Sequence, residues 1–250
     1  MGARSIQFPG ALLLMVFLAS PALAMTVDPN PLPVDARFDG GTVLVRGSTD
    51  PDSQVFVVVT GGHIKEKFNR KGRVGPVWAN IGTLEVSGVP RLCLIASSGA
   101  GSTGLDRRLV DKYLLDLEAV SRQAILDPPG SDTESFRREY IKLKESQQVF
   151  ADLPGTVHIA TKDGQGEFSV AIPWPVKGGP DTYTIDVVQV KGGTFAHKET
   201  STFAVKLVGF PRWVSYLAFE RSRLYGVLSV ASAIFVGLLM GLVFKKGGGH

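Results

Sequence analysis

Two hydrophobic periods alternate along this chain. In the first half, apolar runs follow one another as Thr42–Arg46, Gln54–Thr60, His63–Phe68, Val74–Ala79, Gly82–Val86 and Arg91–Ser97. Turn formers separate them: Gly47 to Asp52, Gly61-Gly62, a basic turn over Asn69–Gly72, and Gly88 to Pro90. Short runs punctuated this way predict β-strands. The period then lengthens. Leu109, Val110, Tyr113, Leu114, Leu117 and Val120 recur at three- and four-residue steps, which predicts an amphipathic helix from about Leu105 to Leu126. Asp127-Pro-Pro-Gly130 stops it, and Ser131 with Glu134 has the spacing of a capping box. Phe136, Tyr140, Leu143 and Phe150 supply an apolar stripe for a second helix. Strand periodicity returns over Thr156–Thr161, Glu167–Ile172, Thr182–Val190 and Thr200–Val208.

The last pattern is of another kind. Leu224 to Phe244 is 21 residues without a charge, flanked by Arg221 and Arg223 before it and Lys245 and Lys246 after it. At 1.5 Å per residue it reaches about 31 Å, enough to cross a hydrocarbon core of about 30 Å. Tyr216 and Tyr225 suit the headgroup level. At the other end, Arg4, the apolar run Ala11–Ala19 and Ala22-Leu23-Ala24 form the three parts of a signal peptide. The expected organisation is a signal peptide (1–24), an exported domain (25–210) with a helical hairpin inserted at about 105–150, a juxtamembrane segment (211–223), a transmembrane helix (224–244) and a short cytoplasmic tail (245–250).

Gly178-Gly-Pro-Asp-Thr-Tyr183, followed by Ile185, Val187 and Gln189, resembles the E–F corner of an immunoglobulin-like sandwich, where a tyrosine bonds back to the corner backbone. The fold class is therefore read as mainly β: an immunoglobulin-like antiparallel sandwich with an inserted helical hairpin and one C-terminal transmembrane helix.

Charge changes the picture of partners. The chain carries a net charge of +4. Met25 to Phe210 holds 21 Lys/Arg against 22 Asp/Glu, so the basicity belongs to the membrane flanks, where anionic lipid attracts it. Nucleic acid is excluded as a partner on that ground, and membrane lipid is favoured. One cysteine, Cys93, allows no intramolecular disulfide, and no glycosylation sequon follows Asn30, Asn69 or Asn80. Both fit the bacterial envelope, with the large domain in the periplasm, the single span in the inner membrane and the C-terminus in the cytoplasm.

Candidate chemistry is sparse. Gly99-Ala-Gly101-Ser-Thr-Gly104 has dinucleotide-loop spacing between a strand and a helix. A second helix, rather than a second parallel strand, is expected next, so the loop reads as a flexible connector with Ser102 or Thr103 capping the helix. Cys93 lies in an apolar run and reads as a buried thiol. His63, His158 and His197 have no ligand spacing. No catalytic, metal or cofactor-binding residues are assigned, and no cofactor is expected.

Two other features are binding candidates. Lys65, Lys67, Arg70, Lys71 and Arg73 form the densest basic cluster, suited to lipid headgroups, an acidic partner or a small anion. Ser229, Ala233, Gly237 and Gly241 recur every four residues along the membrane helix. Such a stripe lets two helix backbones approach, whether from its own copy or from a permease.

The segments Gly72-Arg-Val-Gly-Pro-Val-Trp78-Ala-Asn80, Val89-Pro-Arg-Leu, Ala171-Ile-Pro173 with Gly179 to Tyr183, and the terminal helix with Lys245-Lys246 are similar to the alphaproteobacterial transmembrane family Alph_Pro_TM. The resemblance covers most of the mature chain. It implies an exported, single-anchored protein without assigned catalysis, and the proximity of family genes to sulfite-exporter-like permeases implies a transporter partner. The leading expectation is a non-enzymatic interaction module accessory to an inner-membrane transporter or complex. The alternative is a receptor-like domain that takes a small anion at the basic hairpin.

Overall fold

The computed structural model describes residues 25–129, 133–162 and 164–245. The expected signal peptide, Ser131 of the capping box, and Lys246 with the rest of the tail lie outside the described residues. In chain order the first strands are β1 (Thr26–Asp28), β2 (Leu32–Val34), β3 (Gly41–Thr49), β4 (Gln54–Thr60), β5 (His63–Val74), β6 (Val77–Pro90) and β7 (Cys93–Ser97). Helices α1 (Arg107–Tyr113) and α2 (Leu117–Arg122), strand β8 (Ile125–Asp127) and helix α3 (Thr133–Ser146) follow. The remainder is β9 (Phe150–Leu153), β10 (His158–Lys162), β11 (Gln165–Trp174), β12 (Asp181–Lys191), β13 (Thr194–Leu207), α4 (Gly209–Glu220) and α5 (Ser222–Lys245).

A four-stranded sheet of order β1-β3-β11-β10 faces a six-stranded sheet of order β2-β13-β12-β4-β7-β9. Alternation on β3 and β11 sends Val43, Val45, Phe168, Val170 and Ile172 into the space between them. Val57 of β4, Leu94 of β7, Ile185 of β12 and Phe203 of β13 meet them from the other side. The six-stranded sheet is covered on its second face as well. Phe56, Val58, Cys93 and Ile95 point there, into a separate core with Val86 of β6, Val120 of α2 and Tyr140 of α3. That double burial explains why β4 (QVFVVVT) and β7 (CLIAS) are apolar at successive positions and not only at alternate ones.

The corner before β12 forms as its residues suggest. The Tyr183 hydroxyl donates to the Gly179 carbonyl at 2.7 Å, and Trp174 Nε1 donates to the Gly178 carbonyl at 2.9 Å. The Trp174 and Tyr183 rings meet edge to face at 4.6 Å. Only glycine fits at 178, because a Cβ there would lie 2.5 Å from Trp174 Nε1.

Two expectations are corrected. The inserted hairpin of two helices is instead three helices with strand β8 between the second and third, and β8 adds to the edge of β6. The long first helix breaks because Leu114 turns left-handed (φ 56°) and Asp116 starts α2 by accepting from Ala119 N at 2.6 Å. The basic turn expected at Asn69–Gly72 is extended strand; the chain reverses only at Gly75-Pro76, inside the segment expected as the strand Val74–Ala79, and β6 runs unbroken from Val77 through the expected strand Gly82–Val86. The juxtamembrane segment expected at 211–223 is for the most part helical, as the C-terminal part of α4.

Candidate functional site

The β5–β6 hairpin is the element that leaves the body. Near its base Phe68 packs edge to face on Phe136 and Tyr140 of α3, each at 6.0 Å, and Leu84 and Val86 are buried. The same end is pinned by charge. Lys144 of α3 is buried and donates to Glu66 Oε1 at 2.6 Å, while the Tyr140 hydroxyl donates to Glu66 Oε2 at 3.1 Å. Burial first, and then the Glu66 charge, push the Tyr140 phenol well above its ordinary value. Beyond Asn69 and Thr83 packing ends. Val74, Val77, Trp78 and Ile81 are all exposed, Trp78 by 70%. From Asn69 to the turn the arm extends roughly 20 Å at strand rise.

The arm has two unlike faces. Lys65, Lys67, Lys71 and Arg73 occupy every second position of β5 and so share one face. The register irregularity between Arg70 and Lys71 leaves Ile81 as the extra residue on β6, so the alternation on β5 runs through it. Lys65 and Lys67 both approach Glu85, at 3.8 and 3.7 Å. Lys71 and Arg73 make no ion pair among the described residues; Arg73 stands directly opposite Trp78 in the register, and Arg70 opposite Gly82. The five residues of the basic cluster therefore do share one element, but as an extended row and not around a turn. At the tip Val74 pairs with Val77, and a Cβ at Gly72 would run into the Ile81 side chain. Periodicity across the Gly75-Pro76 turn was the available signal for this long arm.

The other sequence candidates lie elsewhere. Ser229, Ala233, Gly237 and Gly241 all belong to α5, and added Cβ atoms at Gly237 and Gly241 would meet nothing within 4 Å. Cys93 is buried, and burial, with the Asp152 carboxylate second, pushes its thiol up to about 12. The Gly99–Gly104 loop is held by its own neighbours: Gln54 Nε2 donates to the Gly101 carbonyl at 2.8 Å and Ser102 Oγ to Asp116 Oδ2 at 2.9 Å. Asp106, and not Ser102 or Thr103, caps α1, so a carboxylate occupies the helix start where a phosphate would sit. A second helix does come next, as α2, and only after β8 and α3 does the chain enter β9, which lies parallel to β7. Among the described residues no group of three His, Cys, Asp or Glu side chains is arranged to hold a metal. An open cleft of about 460 Å³ is lined by Asp39, Glu145, Gln148, Phe150 and Trp174.

A mainly β domain is joined through one helix to an exposed apolar helix, Ser222–Leu242, the one candidate span among the described residues, and this is the layout of a membrane-anchored protein. The family model "Putative transmembrane protein (Alph_Pro_TM)" matches residues 22–246, and the chain belongs to that family. No curated protein and no solved structure matches it.

Proposed function

We propose that this chain is a non-enzymatic interaction module, anchored by α5 in a bacterial inner membrane with its domain in the periplasm, and accessory to a transporter or other complex there. One observation carries the reading. A membrane-bound domain holds out a two-stranded arm whose apolar tip, Val74, Val77, Trp78 and Ile81, finds no packing partner of its own. Exposed apolar side chains beside polar ones mark contact sites, and here Trp78 shares the face of Lys71 and Arg73 while Val74 and Val77 lie on the other face. The small-residue face of α5 offers a second contact, to a permease helix or to another copy.

The fold reading behind this proposal is an immunoglobulin-like sandwich of the variable type. The orders β1-β3-β11-β10 and β2-β13-β12-β4-β7-β9 follow A-B-E-D and A′-G-F-C-C′-C″, except that β9 is parallel to β7 where C″ would be antiparallel to C′, and Tyr183 near the start of β12 bonds to the E–F corner. On this assignment the arm is inserted between C and C′, and the three helices between C′ and C″. The basic flanks of α5 are close to balanced, so the outward orientation rests on the N-terminal signal sequence.

A photo-crosslinking residue in place of Val77 or Trp78, in the full chain in cells, tests the contact. The expected result is a discrete adduct with one membrane protein, absent from a control at Gln165 on the opposite sheet. Arm positions that yield nothing above that control overturn the proposal. The anion-receptor reading draws on the row Lys65, Lys67, Lys71 and Arg73 with Glu85 as its paired acid. It predicts that sulfate or phosphate raises Tm and that Lys71→Gln with Arg73→Gln removes the effect.

A further inference from the structure

Helix α4 carries a surface whose place is set by chain continuity. Only Arg221 separates its last residue, Glu220, from Ser222, where α5 begins. A helix that ends one residue before a membrane span must end at the membrane surface. Within α4 the burial is one-sided: Leu217 is buried and Val214 and Ala218 are half-buried, while Trp213, Tyr216 and Phe219 are exposed, Phe219 by 86%. At 100° per residue the three aromatics span an arc of about 120° centred on Tyr216, with Val214 and Ala218 about 160° round the helix. Phe210 extends the aromatic surface, its ring 6.1 Å from that of Trp213.

We propose that α4 lies along the surface of the membrane that α5 crosses, with its Trp213, Tyr216 and Phe219 face seated among the lipid headgroups. This rests on reading α5 as the span. Tryptophan and tyrosine favour this depth because an apolar ring enters the acyl boundary while the N–H or O–H stays with water and phosphate. Arg212 on the same face, with Arg221 and Arg223 at the junction, complements anionic headgroups; Glu220, also on this face, falls at the junction beside those two arginines. In water these rings would leave an apolar patch uncovered beside the bilayer. The consequence is mechanical: the domain is braced against the membrane and does not swing on a free linker, so its pose and the reach of its arm are held.

The test uses the full chain, in a Cys93→Ser background, reconstituted in phosphatidylcholine–phosphatidylglycerol vesicles. Single cysteines at Trp213→Cys, Tyr216→Cys and Phe219→Cys carry an environment-sensitive fluorophore, with Lys206→Cys as a water-exposed control and Leu228→Cys as a span control. The proposal expects a blue shift at the three α4 sites, loss of quenching by aqueous iodide, and quenching by spin-labelled lipid headgroups. Labels at α4 that match Lys206→Cys while Leu228→Cys is deep overturn it and leave the span intact. A water-exposed Leu228→Cys would overturn the reading of α5 itself. Labels shielded from iodide but untouched by labelled lipid, with crosslinks between copies, would assign the face to protein and also overturn the proposal.

Discussion

Lys144 and Glu66, 78 residues apart in sequence, meet at 2.6 Å and join α3 to the base of the β5–β6 arm. The lysine side chain is 3% exposed and the glutamate side chain 28%. Removing one partner strands the other in a poorly solvated place. Lys144→Met is therefore expected to cost about 3 kcal/mol, the low end for breaking a buried pair, because Glu66 retains some water. Glu66→Gln together with Lys144→Met should recover much of the loss. Urea unfolding of the detergent-solubilised chain checks both, and equal stability of the single and double variants would remove the pair from the account.

Tyr183→Phe tests the corner. The hydroxyl donates to Gly179 and accepts from Arg91 Nη2 at 3.1 Å, so the variant loses both bonds while the ring stays in the core. A loss of about 1–2 kcal/mol is expected, with faster amide exchange at the start of β12. Unchanged exchange there would mean that ring packing alone holds the corner.

Gly47→Ala tests the closeness of β3 to β11. A Cβ at Gly47 would lie 2.7 Å from Phe168 Cε1, and Phe168 is fully buried between the sheets. Overpacking there is expected to cost about 1–3 kcal/mol. Phe168→Leu in the same chain should relieve part of it, measurable as a partial recovery of Tm.

Cys93 should resist alkylation until the domain opens. With a thiol pushed up to about 12, roughly one molecule in ten thousand carries the thiolate at pH 8, and the site is buried as well. Iodoacetamide should label it only in denaturant. The linkage has a definite sign. The folded value lies above the unfolded value of 9.0, so stability from this group is intact below pH 9 and falls as pH rises from there toward 12. Cys93→Ala should flatten that alkaline loss, and an unaltered slope between pH 9 and 11 would assign it to other groups.

Much of the fold was legible from local pattern. The alternation Phe168, Val170, Ile172 marks a strand with one face in the core, and the Gly178 to Tyr183 segment forms the corner its residues specify. The burial of Cys93 follows from its apolar run. Less legible was the course of β5 and β6. Asn69, Arg70, Lys71 and Gly72 have turn-like composition, yet pairing with Thr83, Gly82, Asn80 and Ala79 keeps them extended. Backbone hydrogen bonds to a partner strand override weak local preference. The break between α1 and α2 was hidden for a related reason: the apolar spacing continues across Leu114, although the Asp116 cap and the left-handed Leu114 divide the helix.

The basic row shows the same division at the candidate site. Its residues were visible as a cluster, but their placement on one face of a protruding arm depends on the register of β5 with β6. The exposed tip depends in turn on where α3 stops covering that hairpin, at Phe68 and Tyr140.

By itself the sequence determined the apolar span, the strand periods, the glycine-bound corner and the neutrality of the domain, because each depends on residues near one another along the chain. The tertiary structure alone decided that the six-stranded sheet is buried on both faces, that Glu66 meets Lys144, and that Trp78 and Phe219 remain uncovered. Burial and exposure of a side chain are settled by whatever distant segment packs against it, and spacing along the chain does not encode that segment.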